Sequence, residues 1–118
     1  MRSLCNILSI VLLFALTIEA AWECGSDNDG FGGLSKGSSQ FFVQLNCPAL
    51  MNGINNCCIN HDDCYDKQRG QKHCDDTFCQ CSKNAVKDHP HCGKLRDVLC
   101  KAVRDHGAAA YAASGRRG

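Results

Sequence analysis

Read from the amino terminus, the apolar positions fall into stretches of different character. The first is unbroken, running from Ile7 to Ile18 (ILSIVLLFALTI) behind Met1-Arg2 and ahead of the small residues Ala20 and Ala21. A basic start, a short apolar run and a small-residue site form the pattern of a secretory signal peptide, with cleavage expected after Ala20. The run falls short of the ~20 apolar residues that a membrane-spanning helix needs, so no transmembrane segment is expected. From Trp22 to Gly53 turn formers dominate (ECGSDNDGFGGLSKGSSQ), and the stretch reads as a long loop. Its one candidate strand is Phe41-Phe42-Val43-Gln44-Leu45.

Helical periodicity follows. Ile54, Cys57, Cys58, His61, Cys64 and Tyr65 recur at three- and four-residue steps, which predicts an amphipathic helix with Asn52 or Asn55 as N-cap, stopping near Gly70. Cys74, Phe78, Cys81 and Ala85 form a second stripe, with Asp75 and Asp76 placed in its first turn, where acidic side chains favour the helix dipole. Pro90 breaks the pattern. Leu95, Val98, Leu99, Ala102 and Val103 predict a third, shorter helix ending near Gly107, and the remaining GAAAYAASGRRG reads as a small-residue tail. The two cysteine-bearing helices are joined by the short polar segment DKQRGQKH and so must run antiparallel. The expected fold class is all-α: a small disulfide-rich domain at 21–106 with two antiparallel helices cross-linked by disulfides, a long N-terminal loop and little or no β, between a signal peptide at 1–20 and a tail at 107–118.

Composition changes the picture in one respect. Eleven cysteines in 118 residues pass the ~8–10% mark of a disulfide scaffold. Loss of Cys5 with the signal peptide makes the count even, so five bridges can form among Cys24, Cys47, Cys57, Cys58, Cys64, Cys74, Cys79, Cys81, Cys92 and Cys100. A chain this short buries a modest core, and each bridge that closes a loop of tens of residues contributes ~2–4 kcal/mol. The expected location is therefore secreted and extracellular. In such a compartment, zinc binding by His73, His89 and His91 with Cys74 and Cys92 is disfavoured against disulfides. Thirteen basic against twelve acidic side chains leave a formal charge of +1, without the electrostatic footprint of a nucleic-acid binder. A monomer without a nucleic-acid partner is expected.

The densest chemistry lies in Cys57-Cys58-Ile59-Asn60-His61-Asp62-Asp63-Cys64-Tyr65-Asp66. On a helix Cys57, His61 and Cys64 share a face, so disulfides that bolt that face to a neighbour would hold the imidazole still. Adjacent helical residues point about 100° apart, so Asp62 cannot orient the His61 ring from the same side. Two roles follow: a fixed imidazole can take a proton from water, and a carboxylate that points elsewhere can bind a hard cation.

This segment resembles the secreted phospholipase A2 superfamily, whose active-site helix carries C-C-x-x-H-D-x-C-Y; here the pattern reads C-C-I-N-H-D-D-C-Y without a mismatch. The following CDDTFCQCSKNA looks like the antiparallel partner helix, and the stretch Gln40 to Asn46 looks closest to the atypical group XII branch. The resemblance implies calcium-dependent hydrolysis of the sn-2 ester of a glycerophospholipid at a membrane or micelle surface. His61 would be the general base on a water. Asp62 would hold Ca²⁺, which would polarise the ester carbonyl and share the developing oxyanion with a backbone N–H. Tyr65 would belong to the supporting hydrogen-bond network, and Cys64 would pair with Cys81.

Two positions depart from that pattern. The family adds an aspartate directly after the partner-helix cysteine, to orient the histidine and stabilise its protonated form; with that cysteine placed at Cys81, the position holds Ser82, which carries no charge. Asp75 and Asp76 lie six or seven residues earlier, ~9–10 Å along the helix axis, too far to substitute in that register. The family's glycine-rich calcium loop is also missing in its usual form, and Gly30-Phe31-Gly32-Gly33 and Gly37-Ser38-Ser39 are the candidates for presenting carbonyls to the ion. An EF-hand starting at Asp27 is excluded, because its twelfth position is Ser38 and not glutamate. Trp22, Phe31, Leu34, Phe41 and Phe42 form either a lipid-facing collar or core, with core favoured for most of them. The alternative to an enzyme is a catalytically weak or inactive scaffold acting as a binding or defence protein, with a disulfide-rich inhibitor or toxin ranked behind both.

Overall fold

A computed structural model of the chain describes residues 21–25 and 35–117. The signal-peptide segment with Cys5, the aspartates Asp27 and Asp29, and the segment Gly30 to Leu34 lie outside the described residues. Four α-helices follow in order: α1 at Lys36–Asn46, α2 at Met51–Asp66, α3 at Gln71–Val86 and α4 at Gly93–Arg117, with a short 3₁₀ turn at Pro48–Leu50 between the first two. Among the described residues there is no β-strand, and the domain is all-α and disulfide-rich.

The first helix replaces the expected loop and candidate strand. Ser35 caps it, its hydroxyl accepting a hydrogen bond from Ser38 N–H. The aromatic and β-branched run Phe41–Leu45 favours a strand by propensity, but its burial follows the helical period. Ser39 and Val43, four residues apart, are buried, while Phe41, Phe42 and Leu45 are exposed. Trp22 belongs to the core, its indole N–H donating to Ser39 Oγ at 2.8 Å, and Ser39 Oγ donates in turn to Cys24 O at 2.7 Å. Gly37-Ser38-Ser39 therefore lies at the start of α1, where backbone carbonyls point along the axis towards later N–H groups and not outward to an ion.

The pair α2–α3 forms the centre. In α2 Ile54, Asn55, Cys57, Cys58, His61 and Tyr65 are buried. The helix begins at Met51, so neither Asn52 nor Asn55 caps it; Asn55 is buried and binds the N-terminal segment, accepting from Glu23 N–H at 2.8 Å and donating to Ala21 O at 3.1 Å. The helix ends at Asp66, and the chain reverses through Gln68 (φ 53°) and Gly70 (φ 108°). In α3 Cys74, Asp75, Phe78, Ser82 and Val86 face inward.

The disulfides set the register, and they correct one expected pairing. Cys57 pairs with Cys81 and Cys64 with Cys74, at Cα–Cα distances of 5.6 and 5.7 Å. Cys57 and Cys64 are seven residues apart on α2, as Cys74 and Cys81 are on α3, so the two bridges are matching rungs of an antiparallel pair. A Cys64–Cys81 bridge would slide one helix past the other by seven residues, ~10 Å, beyond what a disulfide spans. The other bridges tie the remaining elements to this pair: Cys24–Cys58, Cys79–Cys100 and Cys47–Cys92.

The fourth helix contains the expected Leu95–Val103 stripe but does not stop at Gly107. It continues through the alanine-rich segment to Arg117, because alanine is the best helix former and Tyr65 and Gln68 supply contacts along that length. No helix among the described residues is long and apolar enough to cross a membrane.

Candidate active site

His61 projects from the middle of α2 into the seam with α3, between the two rungs. Its Nε2 lies 2.7 Å from Asp75 Oδ1. Both side chains are buried, at 8% and 4% exposure. Tyr65, one helical turn after His61, donates its hydroxyl to the same Asp75 Oδ1, also at 2.7 Å. The His61 ring packs against those of Tyr65 and Phe78, with centroids 4.2 and 5.1 Å away.

Asp75 is the residue that the register of the sequence reading misplaced. It is neither exposed nor a first-turn acid, since α3 already begins at Gln71. Once Cys74 is the partner of Cys64, the residue directly after the pinning cysteine is Asp75 and not Ser82. Ser82 lies two turns further along α3, where its hydroxyl donates to Cys79 O of its own helix at 3.1 Å. The equal seven-residue spacing of the two cysteine pairs was the signal that could have found it.

The electrostatics follow from this burial. Desolvation pushes the His61 pKa below its ordinary value, and it outweighs the opposing pull of the hydrogen bond and charge of Asp75. The imidazole is therefore neutral at physiological pH. An ionised Asp75 only accepts, so the shared proton lies on His61 Nε2 and the lone pair on Nδ1. Nδ1 has no hydrogen-bond partner among the described residues. Since every buried side-chain nitrogen and oxygen there is paired, it is the ring atom open to solvent. Burial, and then the bond to Asp75, push the Tyr65 hydroxyl far above its ordinary pKa, so it remains a donor.

Asp62 is exposed and lies around the helix from His61. It lines an open depression with Ala21, Glu23, Ile59, Asp63 and Asp66. A wall of carboxylates with no sulfur or imidazole is the donor chemistry that hard cations take. Among the described residues no three His, Cys, Asp or Glu side chains converge closely enough to hold an ion by themselves. The N-terminal segment on this side is pinned by Asn55 and the Cys24–Cys58 bridge. At Gly25 (φ 102°) a β-carbon would strike the backbone of Ser35 and Lys36, so Gly25 and Ser35 meet at one place.

A disulfide-clamped helix pair that buries a His-Asp couple, with a second carboxylate facing outward beside the histidine, fits the site that the resemblance to secreted phospholipase A2 implies. The chain belongs with the phospholipase A2-like proteins: it is 42% identical over 98 residues to a phospholipase A2-like protein of Caenorhabditis elegans, an alignment covering 82% of this chain. It spans about half the length of that curated relative, 53%. No protein-family profile matches the chain, and no solved structure does.

Proposed function

We propose that the protein is a secreted, calcium-dependent phospholipase A2 that hydrolyses the sn-2 ester of glycerophospholipids at a membrane or micelle surface. The observation that carries this reading is the His61 Nε2 to Asp75 Oδ1 contact of 2.7 Å in a buried seam, which leaves Nδ1 as the accepting atom. Nδ1 removes a proton from the attacking water. The imidazolium that forms keeps Nε2–H on the Asp75 carboxylate, which offsets the cost of a positive charge in a desolvated site. Tyr65 holds that carboxylate from the other side. Asp62 would supply a carboxylate to calcium at the open depression that it lines with Glu23, Asp63 and Asp66. Bound there, calcium would supply a Lewis acid for the ester carbonyl and the oxyanion.

The competing reading, an inactive binding or defence scaffold, rests on an uncharged Ser82 in place of the second aspartate and on the missing usual form of the calcium loop. The contact of Asp75 with His61 weighs against the first of these grounds. The test is release of fatty acid from vesicles of phosphatidylcholine and phosphatidylglycerol labelled separately at sn-1 and sn-2. Calcium-dependent sn-2 release that is lost in His61→Gln and in Asp62→Asn supports the enzyme. Calcium-independent release, or none, overturns it.

A further inference from the structure

The far half of α4 plays no part in the mechanism above, yet it packs on the pair that does. Gly107, Tyr111 and Gly115 stand at four-residue spacing and so share one face of the helix. Each meets the end of α2 or the turn that follows it. A β-carbon at Gly107 would overlap Tyr65 Oη, and one at Gly115 would overlap the Gln68 carboxamide, both closer than the 3.0 Å that β-carbons respect. The Tyr111 ring meets that of Tyr65 edge-on, centroids 5.0 Å apart, and its hydroxyl accepts Gly70 N–H at 2.8 Å. Gln68, in the left-handed region at φ 53°, bridges the two helices, donating to Tyr65 O at 2.9 Å and Tyr111 O at 2.7 Å. Glycine is a poor helix former, and both glycines of this alanine-rich stretch before Arg116 stand where a side chain needs the space, Tyr65 of α2 at Gly107 and Gln68 of the turn after α2 at Gly115.

We propose that residues 107–115 of α4 position the catalytic pair: Gly107 admits the Tyr65 hydroxyl and Tyr111 braces its ring and the α2–α3 turn, which keeps Tyr65 on Asp75 and Asp75 on His61. The inference rests on the hydrolytic reading for its consequence in activity, though not for its consequence in the Tyr65–Asp75 hydrogen bond. Gly107 and Tyr111 touch neither water nucleophile nor substrate in this account; they act through Tyr65. Tyr65 Oη and His61 Nε2 both meet Asp75 Oδ1 at 2.7 Å, so when Tyr65 leaves Asp75 the carboxylate loses one of the two contacts that fix its orientation towards His61.

The experiment uses the whole chain with Gly107→Ala, Tyr111→Ala and Tyr111→Phe. The Tyr65 hydroxyl proton, identified by NMR as a signal lost in Tyr65→Phe, is expected to exchange with water about tenfold faster or more in Gly107→Ala and Tyr111→Ala, and to stay close to wild type in Tyr111→Phe, which keeps the ring against Tyr65. In vesicle assays kcat should fall about tenfold or more in the first two variants with KM within about twofold, and Tyr111→Phe should keep most of the activity. Tyr111→Ala adds no atoms, so it carries the test if Gly107→Ala does not fold. Folded variants in which the Tyr65 hydroxyl proton is as protected as in wild type overturn the proposal. A protein inactive on phospholipid in which that proton still loses its protection supports the coupling and refutes the hydrolase reading alone.

Discussion

His61 on α2 and Asp75 on α3 meet at 2.7 Å because two disulfides of equal spacing, Cys57–Cys81 and Cys64–Cys74, fix the register of their helices. The contact lies between the rungs, where neither helix can slide or roll without straining a covalent bond. In the proposed mechanism rigidity at this point has a chemical use, since a general base must stay within hydrogen-bond reach of the proton it abstracts.

The register itself is directly measurable. Proteolytic mapping of the unreduced protein should recover peptides that join Cys64 to Cys74 and Cys57 to Cys81. A Cys64–Cys81 peptide would contradict the fold. By loop-closure entropy each rung stabilises the chain by about 3 kcal/mol, so the Cys57→Ser, Cys81→Ser double variant should lose that much in a denaturant titration.

The depressed pKa of His61 gives a pH dependence of definite sign. The folded state disfavours the protonated ring relative to the unfolded chain. The corresponding stability is present above the unfolded value of about 6.5 and is lost as pH falls through the lower folded value. NMR titration should therefore place the His61 midpoint below that of a model peptide, and chemical denaturation should show stability declining from about pH 6.5 downward, less so in His61→Gln. A midpoint above that of the peptide would mean that Asp75 outweighs burial.

Asn55 shows how a polar side chain can serve the fold and the site together. It is buried and holds Glu23 N–H and Ala21 O, next to the depression that Asp62 faces. Asn55→Ala should cost about 1–3 kcal/mol, since two hydrogen bonds go and backbone groups lose their partner. Limited proteolysis should then cut sooner near the N-terminal segment. Unchanged stability would mean that Cys24–Cys58 alone fixes this segment.

What could be read from the sequence, and what could not, follows from the range of the interactions. The α2 stripe from Ile54 to Tyr65 was legible because helical period, cysteines and the His61-Asp62 pair all agree within a few turns. The helix α1 was not, because Phe41-Phe42-Val43 carries strand propensity and only the burial of Ser39 and Val43 against Trp22 and the core reveals the helical period. Gly107 read as a stop signal; its cause is the Tyr65 hydroxyl on a neighbouring helix, which no local window contains. Asp75 was in view throughout, but its role depended on a pairing between helices. One wrong bridge moved the site two turns, to Ser82.

The account stands most directly on Asp75. Initial rates of sn-2 fatty-acid release with saturating calcium should be compared for wild type, Asp75→Asn and Ser82→Ala. Asp75→Asn keeps the shape but removes the charge facing the imidazolium, so kcat should fall by about 10- to 10³-fold with KM little changed. Ser82→Ala should stay within about threefold of wild type, as expected of a side chain that bonds only its own helix. Full activity in Asp75→Asn, or a loss confined to Ser82→Ala, would contradict the assignment of the catalytic pair.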